Sequence, residues 1–133
     1  MAKSESVYIL GGAQSDFARN WNKEGKHFSA VMRETVNAGM QQARIEPREI
    51  QTAHVGNFAA ELYGKQGQLN AFFLEVDPHF FGIPTSRHEA ACASGSIAIL
   101  AASADIEAGR YDLAAVVGLE QMKTGRASCR ERV

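Results

Sequence analysis

The segment between Gly95 and Gly109 constrains the fold more than any other part of the sequence. Small or apolar residues face nearly every direction of a helix here, until Asp105 is reached. A helix that is apolar on all sides is a buried helix. The pattern predicts a helix over about 93–108, with Gly109 suited to the position just past its end. We therefore expect a layered fold that covers this helix on several sides.

Helical and extended patterns alternate along the rest of the chain. Apolar or β-branched runs predict strands at 7–10, 52–58, 85–91 and 112–118. An amphipathic helix begins near Phe28 and ends before Pro47, and a looser helical segment covers 62–76. The order β-α-β-α-β-α-β predicts an α/β fold with layered helices on a mostly parallel sheet.

Charge and hydropathy exclude several classes of function. The 133 residues include 14 basic and 15 acidic side chains, and no basic run is present, so we expect no nucleic-acid partner. The longest apolar run, 97–102, is too short to span a membrane. The N-terminus has no apolar stretch long enough for a secretory signal, which predicts a cytoplasmic protein.

Metal and disulfide chemistry are not expected either. The four histidines are scattered, and none stands at metal-ligand spacing from a second His or Cys, so no metal site is predicted. Cys92 and Cys129 do not form a CxxC pair, and a disulfide is not expected inside the cell.

Cys92 is the candidate catalytic residue. It lies where the predicted strand 85–91 meets the helix that follows, close to unpaired helical N–H groups. Such a position favours thiolate over thiol, and small neighbours on both sides allow a substrate to approach. The alternative is an inert core cysteine, since free Cys is often buried. Position alone leaves both interpretations open, and the buried helix behind Cys92 favours the functional one.

Several motifs resemble the N-terminal region of the thiolase superfamily. The sequence CASGSIAI begins at Cys92 and is followed by Ile106, Gly109, Asp112 and the sequence GLEQM at 118–122. Upstream, GGAQSDF at 11–17 and VGN at 55–57 resemble the ends of the family's first two strands. The resemblance spans about residues 6–123 and implies a truncated N-terminal half-domain of the family.

Two departures from the common pattern indicate a branch of the family. Gln14-Ser15-Asp16 replaces an Arg-Thr-Pro sequence, and Glu89 stands where Asn is common. Both are typical of the sterol-carrier-like or acetyl-CoA-acetyltransferase-like branch.

The resemblance implies acyl transfer between CoA thioesters through an acyl group held on Cys92. A coenzyme A thioester would be the substrate, no cofactor would be bound permanently, and the full-length parent would form a homodimer or a larger oligomer. The CoA-binding residues stay unknown. The family's Gly-His-Pro histidine and its second catalytic Cys do not occur in these 133 residues. We therefore expect the fragment alone to be inactive.

Two other functions fit the same motifs. A β-ketoacyl synthase shares the fold and the cysteine but loads acyl carrier protein, and the CASG and GLEQM sequences favour a thiolase. A non-catalytic thiolase-like binding or scaffold protein would keep the fold without turnover. The residues of the missing second half decide between catalysis and scaffolding.

The last ten residues, 124–133, are interpreted separately from the rest. Back-translation of the sequence RASCRERV at 126–133 resembles sequencing-adapter sequence read in frame. We therefore divide the chain into a partial thiolase N-terminal domain at 1–123 and a non-native tail at 124–133, in which Cys129 is accidental. A natural polar tail is the alternative.

Overall fold

The computed structural model describes residues 6–121, which contain a three-stranded sheet. The strands are β1 (Thr52–Gly56), β2 (Thr85–His88) and β3 (Ala114–Gly118), and they are ordered β2-β1-β3. Both strand pairs are parallel. The predicted α/β class with a parallel sheet is confirmed, and β1 is the central strand.

Within residues 6–121, three α-helices and four short 3-10 helices connect and cover the strands. The α-helices are α1 (Phe28–Ala43), α2 (Ala60–Gly64) and α3 (Ser94–Glu107). The 3-10 helices cover Pro47–Glu49, Leu69–Glu75, Pro78–Phe80 and Ala91–Ala93. The helices predicted from Phe28 and over 93–108 are confirmed. No helix within residues 6–121 is both long and apolar enough to cross a membrane.

The apolar core lies on one face of the sheet. Ala53 and Val55 of β1 are fully buried there, because alternate residues of a strand point to the same face. Against them pack α1 and the helix Leu69–Glu75. The largest buried side chains of this core are Phe28, Met32, Leu69, Phe73 and Phe80. The other face of the sheet carries α3, which contacts all three strands.

The helical segment predicted over 62–76 is wrong as one element. Lys65 and Gln68 adopt left-handed backbone conformations, with φ of 52° and 50°. These residues end α2 and begin Leu69–Glu75, so the chain turns twice between the two helices. Helical spacing of apolar residues does not reveal such a break.

The strand predicted at 7–10 is also wrong in the described structure. The segment forms no strand, and Tyr8, Ile9 and Leu10 are 77%, 85% and 60% exposed. It lines a cavity of about 570 Å³ together with residues of β3 and α3. A β-branched, apolar run becomes a strand only when a neighbour pairs with it, and here no ladder forms.

The expectation that α3 is buried on all sides is wrong for this chain. Ser94, Ala98 and Ala102 are buried against the sheet, whereas Ile97, Ile99 and Leu100 are 40%, 48% and 63% exposed. The sheet covers one side of the helix, and nothing in residues 6–121 covers the other. The apolar composition of α3 therefore exceeds what this part of the chain can bury.

The N-terminal end of α3 lies directly on β1. A Cβ atom added to Gly56 would come within 2.7 Å of Gly95 Cα and of the Ser94 carbonyl carbon. These are backbone atoms of α3, so no side chain can rotate away to make room. The absence of a side chain at Gly56 allows the helix and the strand to approach this closely.

Gly56→Ala should destabilise the chain by about 1–3 kcal/mol, the usual cost of overpacking. Gly118→Ala is the matched control, because Gly118 pairs with Gly56 in register and a Cβ there meets nothing within 4 Å. Urea unfolding of both variants measures the difference. Equal unfolding midpoints for the two variants would contradict the close contact.

Candidate functional site

Cys92 lies on a sharp turn between β2 and α3. The strand ends at His88, and the 3-10 turn Ala91–Ala93 leads directly into the helix. Ala91 adopts a left-handed conformation with φ of 49°, which residues with a Cβ rarely do. The predicted strand to residue 91 ends early because this turn redirects the chain. Within residues 6–121, Cys92 is exposed as a result.

Hydrogen bonds hold the turn around Cys92. Ser94 Oγ donates to the Ala91 carbonyl oxygen at 2.7 Å and accepts from the Ala90 N–H at 2.9 Å. Ala93 N donates to the Ala90 carbonyl at 2.9 Å, and Ala91 N donates to Glu89 Oε1 at 3.3 Å. These bonds use the N–H groups of Ala90, Ala91 and Ala93. Within residues 6–121 they leave the Cys92 N–H without an acceptor.

Cys92 faces a cleft of about 630 Å³. This volume lies in the range of small-molecule sites. The segment that includes Phe17, Arg19 and Trp21 forms one wall, and Phe58 and Glu120 contribute to another. The cleft is large enough to admit a substrate to the exposed thiol.

Asn57 and Glu120 shape the wall opposite Cys92. The Asn57 side chain is buried, donates to the Leu119 carbonyl at 2.6 Å and accepts from the Ala60 N–H at 3.2 Å. It thereby joins the ends of β1 and β3. The Glu120 carboxylate accepts from Phe58 N at 2.9 Å and from Ala59 N at 3.3 Å, at the start of α2. Glu120 therefore both binds the backbone just before α2 and lines the cleft.

Arg19 has its charge neutralised within the cleft wall. It forms ion pairs with Glu24 and Glu34, and Lys26 also contacts Glu34. The hydrogen bonds from Arg19 and Lys26 lower the pKa of Glu34 to about 2. This network ties the segment around Arg19 to Glu34 of α1 and leaves Arg19 engaged with carboxylates.

A second polar cluster, which the sequence does not indicate, lies under α3. Parallel pairing sets His54 beside Ser86 and Gly56 beside His88. The His54 Nδ1 and His88 Nε2 atoms are 3.0 Å apart, and Ser86 Oγ lies 3.1 Å and 2.8 Å from them. The spacing of His54 and His88 in sequence gives no sign of this contact, since it depends on the strand register.

The two histidine rings face one another through one nitrogen atom each. Their centroids are 5.2 Å apart while the facing nitrogens are 3.0 Å apart, so the nitrogens point at one another along the line between the rings. One nitrogen donates and the other accepts. Among residues 6–121, no group of three His, Cys, Asp or Glu side chains is arranged to hold a metal.

Burial makes His54 difficult to protonate. Desolvation lowers the pKa of His54, neighbouring His88 lowers it further, and Asp105 on α3 opposes both effects. Among residues 6–121, the His54 Nε2 atom has no hydrogen-bond partner, and it lies 3.5 Å from Asp105 Oδ2. Arg110 donates a hydrogen bond to the other carboxylate oxygen of Asp105 at 3.2 Å. The cluster is therefore most stable with His54 neutral.

Acidification should weaken the fold through His54. Because the folded-state pKa lies below the unfolded value of about 6.5, the unfolded chain binds more protons as pH falls from about 7 to about 5. The free energy of unfolding should decrease over that window. Urea unfolding at graded pH measures it.

His54→Gln should flatten this pH dependence, whereas His79→Gln, at a histidine outside the cluster, should leave it in place. The carboxylates with lowered pKa values, such as Glu34, affect stability only at more acidic pH. A constant unfolding midpoint between about pH 7 and about pH 5 in the parent chain would contradict the assignment.

The arrangement of β2, the turn with Cys92 and α3 agrees with the family that comparison with known proteins identifies. Residues 7–132 match the family described as thiolase, N-terminal domain. The chain belongs to the thiolase family, and the resemblance inferred from the motifs is confirmed.

Curated relatives support the same family. The chain is 32% identical over 119 residues to an acetyl-CoA acetyltransferase of Methanocaldococcus jannaschii, and 28% identical over 116 residues to one of Methanothermobacter thermautotrophicus. Both comparisons cover 87% of this chain. A non-specific lipid-transfer protein-like 2 of Caenorhabditis elegans is 28% identical over 120 residues, which are 90% of this chain and 27% of the relative.

The chain spans about 29% of the length of the two acetyl-CoA acetyltransferases. The division into a domain at 1–123 and a non-native tail at 124–133 stays a prediction. That tail, with Cys129, and Met122 of the GLEQM sequence lie outside the described residues.

Proposed function

We propose that the full-length protein is a thiolase-type acyl-CoA C-acyltransferase in which Cys92 is the acyl-accepting nucleophile. The observation that carries the proposal is the exposed Cys92 side chain, which faces a cleft from the turn before α3. The names of the archaeal relatives support an acetyl-CoA-type substrate.

The first half-reaction forms a thioester on the protein. The Cys92 thiolate adds to the carbonyl carbon of an acyl-CoA, the bond from that carbon to the CoA sulfur breaks, and CoA leaves and takes a proton. The negative charge on the carbonyl oxygen develops beside the unused Cys92 N–H. That N–H supplies half of an oxyanion hole, a role worth about 10²–10³ in rate.

The second half-reaction transfers the acyl group and restores Cys92. In the synthetic direction, a second acyl-CoA loses a proton at C2, and the resulting carbanion attacks the thioester carbonyl. In the degradative direction, cleavage of the C2–C3 bond of a 3-ketoacyl-CoA loads Cys92, and CoA sulfur then accepts the acyl group. The synthetic direction needs a base that removes the C2 proton, and the degradative direction needs an acid that returns a proton to the C2 carbanion. The family resemblance assigns both roles to a later part of the full-length protein. The fragment alone accepts an acyl group without completing turnover.

Intact-mass analysis after incubation with acetyl-CoA tests the proposal. One acetyl group should add to the chain, and Cys92→Ala should abolish the addition. Cys129→Ala is the matched control and should retain it. Acyl carrier protein that bears an acetyl group on its phosphopantetheine should acetylate Cys92 far more slowly than acetyl-CoA does.

Two results would overturn the proposal. One is an adduct that persists in Cys92→Ala, which would place the acyl group elsewhere. The other is a folded chain that stays unmodified by acetyl-CoA or prefers the carrier-protein donor, as a scaffold or a β-ketoacyl synthase would.

A further inference from the structure

Ser94 is a buried polar residue beside the exposed Cys92. It is 5% exposed and opens α3, two residues after the cysteine. Its hydroxyl is fully engaged with the backbone, since it donates to the Ala91 carbonyl and accepts from the Ala90 N–H. The side chain is therefore held in one position.

These bonds differ from those of an ordinary helix cap. A capping serine accepts a hydrogen bond from an N–H group two or three residues further along the helix. Ser94 bonds backwards instead, to Ala90 and Ala91, and the N-cap residue is Ala93, which has no side-chain cap bond. The Ser94 hydroxyl thus stabilises the turn that precedes Cys92 rather than the helix that follows it.

The turn needs this support because Ala91 is left-handed. Its φ of 49° is unfavourable for any residue with a Cβ. If the Ser94 hydroxyl were removed, the Ala90 N–H would lose its acceptor and the Ala91 carbonyl would lose one of its donors. Ala91 could then relax towards negative φ, which would change the direction in which Cys92 leaves the turn.

We infer that Ser94 is a positioning residue for Cys92. By fixing Ala91 in its left-handed conformation, it orients the thiol and the Cys92 N–H together towards the cleft. This inference rests on the proposed function of Cys92 as nucleophile.

The rate of Cys92 alkylation by iodoacetamide, measured from acid to alkaline pH, tests the inference. Cys129→Ala is the background, so that only Cys92 reacts. Ser94→Ala should lower the rate, by up to about 10²-fold, and shift the pH profile, because a small misplacement of a reacting group is costly. Ser94→Thr keeps a hydroxyl and should restore most of the rate. Ser96→Ala, at an exposed serine of the same helix, should have no effect.

A second substitution separates positioning from stability. Glycine adopts positive φ readily, so Ala91→Gly makes the left-handed turn less dependent on Ser94. In an Ala91→Gly background, Ser94→Ala should therefore reduce the alkylation rate much less than in the parent. Circular dichroism and urea unfolding confirm that each variant is folded.

An unchanged pH–rate profile in a folded Ser94→Ala variant would overturn the inference. An equal loss of rate in the Ala91→Gly background would also overturn it, because the effect would not pass through Ala91. Failure of acetyl-CoA to modify Cys92 in the parent chain would remove the proposed nucleophile instead, and the alkylation series would still decide the role of Ser94.

Discussion

The contact between Gly56 of β1 and the first turn of α3 determines how the rest of the site is arranged. A Cβ at Gly56 would lie 2.7 Å from helix backbone atoms, so strand and helix meet backbone to backbone. This contact determines how close the first turn of α3 lies to β1. Cys92 lies two residues before that point, and Asn57 follows Gly56 directly. This contact therefore helps to position both the Cys92 thiol and Asn57, which line the same cleft.

The turn before α3 leaves the Cys92 thiol exposed. Ala91 in a left-handed conformation redirects the chain, and Ser94 holds it there with two hydrogen bonds. The N–H of Cys92 stays unused by the turn. A strained backbone next to a nucleophile is common where the surrounding structure over-determines the conformation. Here the helix on one side and the strand on the other supply that constraint.

The sequence was sufficient to predict the elements whose apolar pattern matches their environment. The fold class, α1, α3 and the parallel sheet all follow from local patterns. Predictions failed where a distant partner decides the outcome. The run at 7–10 lacks a pairing strand, α3 lacks a cover over Ile97, Ile99 and Leu100, and the contact of His54 with His88 depends on register. Lys65, Gln68 and Ala91 adopt left-handed conformations although none of them is glycine, so the sequence does not mark these turns.

The most direct test of Cys92 as the acyl-accepting nucleophile is a crystal structure of the chain after reaction with acetyl-CoA. We expect an acetyl group on Cys92 Sγ, with its carbonyl oxygen within hydrogen-bond distance of the Cys92 N–H and with Ala91 at positive φ. A structure in which Cys92 is unmodified and turned into the core, with Ala91 at negative φ, would contradict both the geometry of the turn and the proposed chemistry.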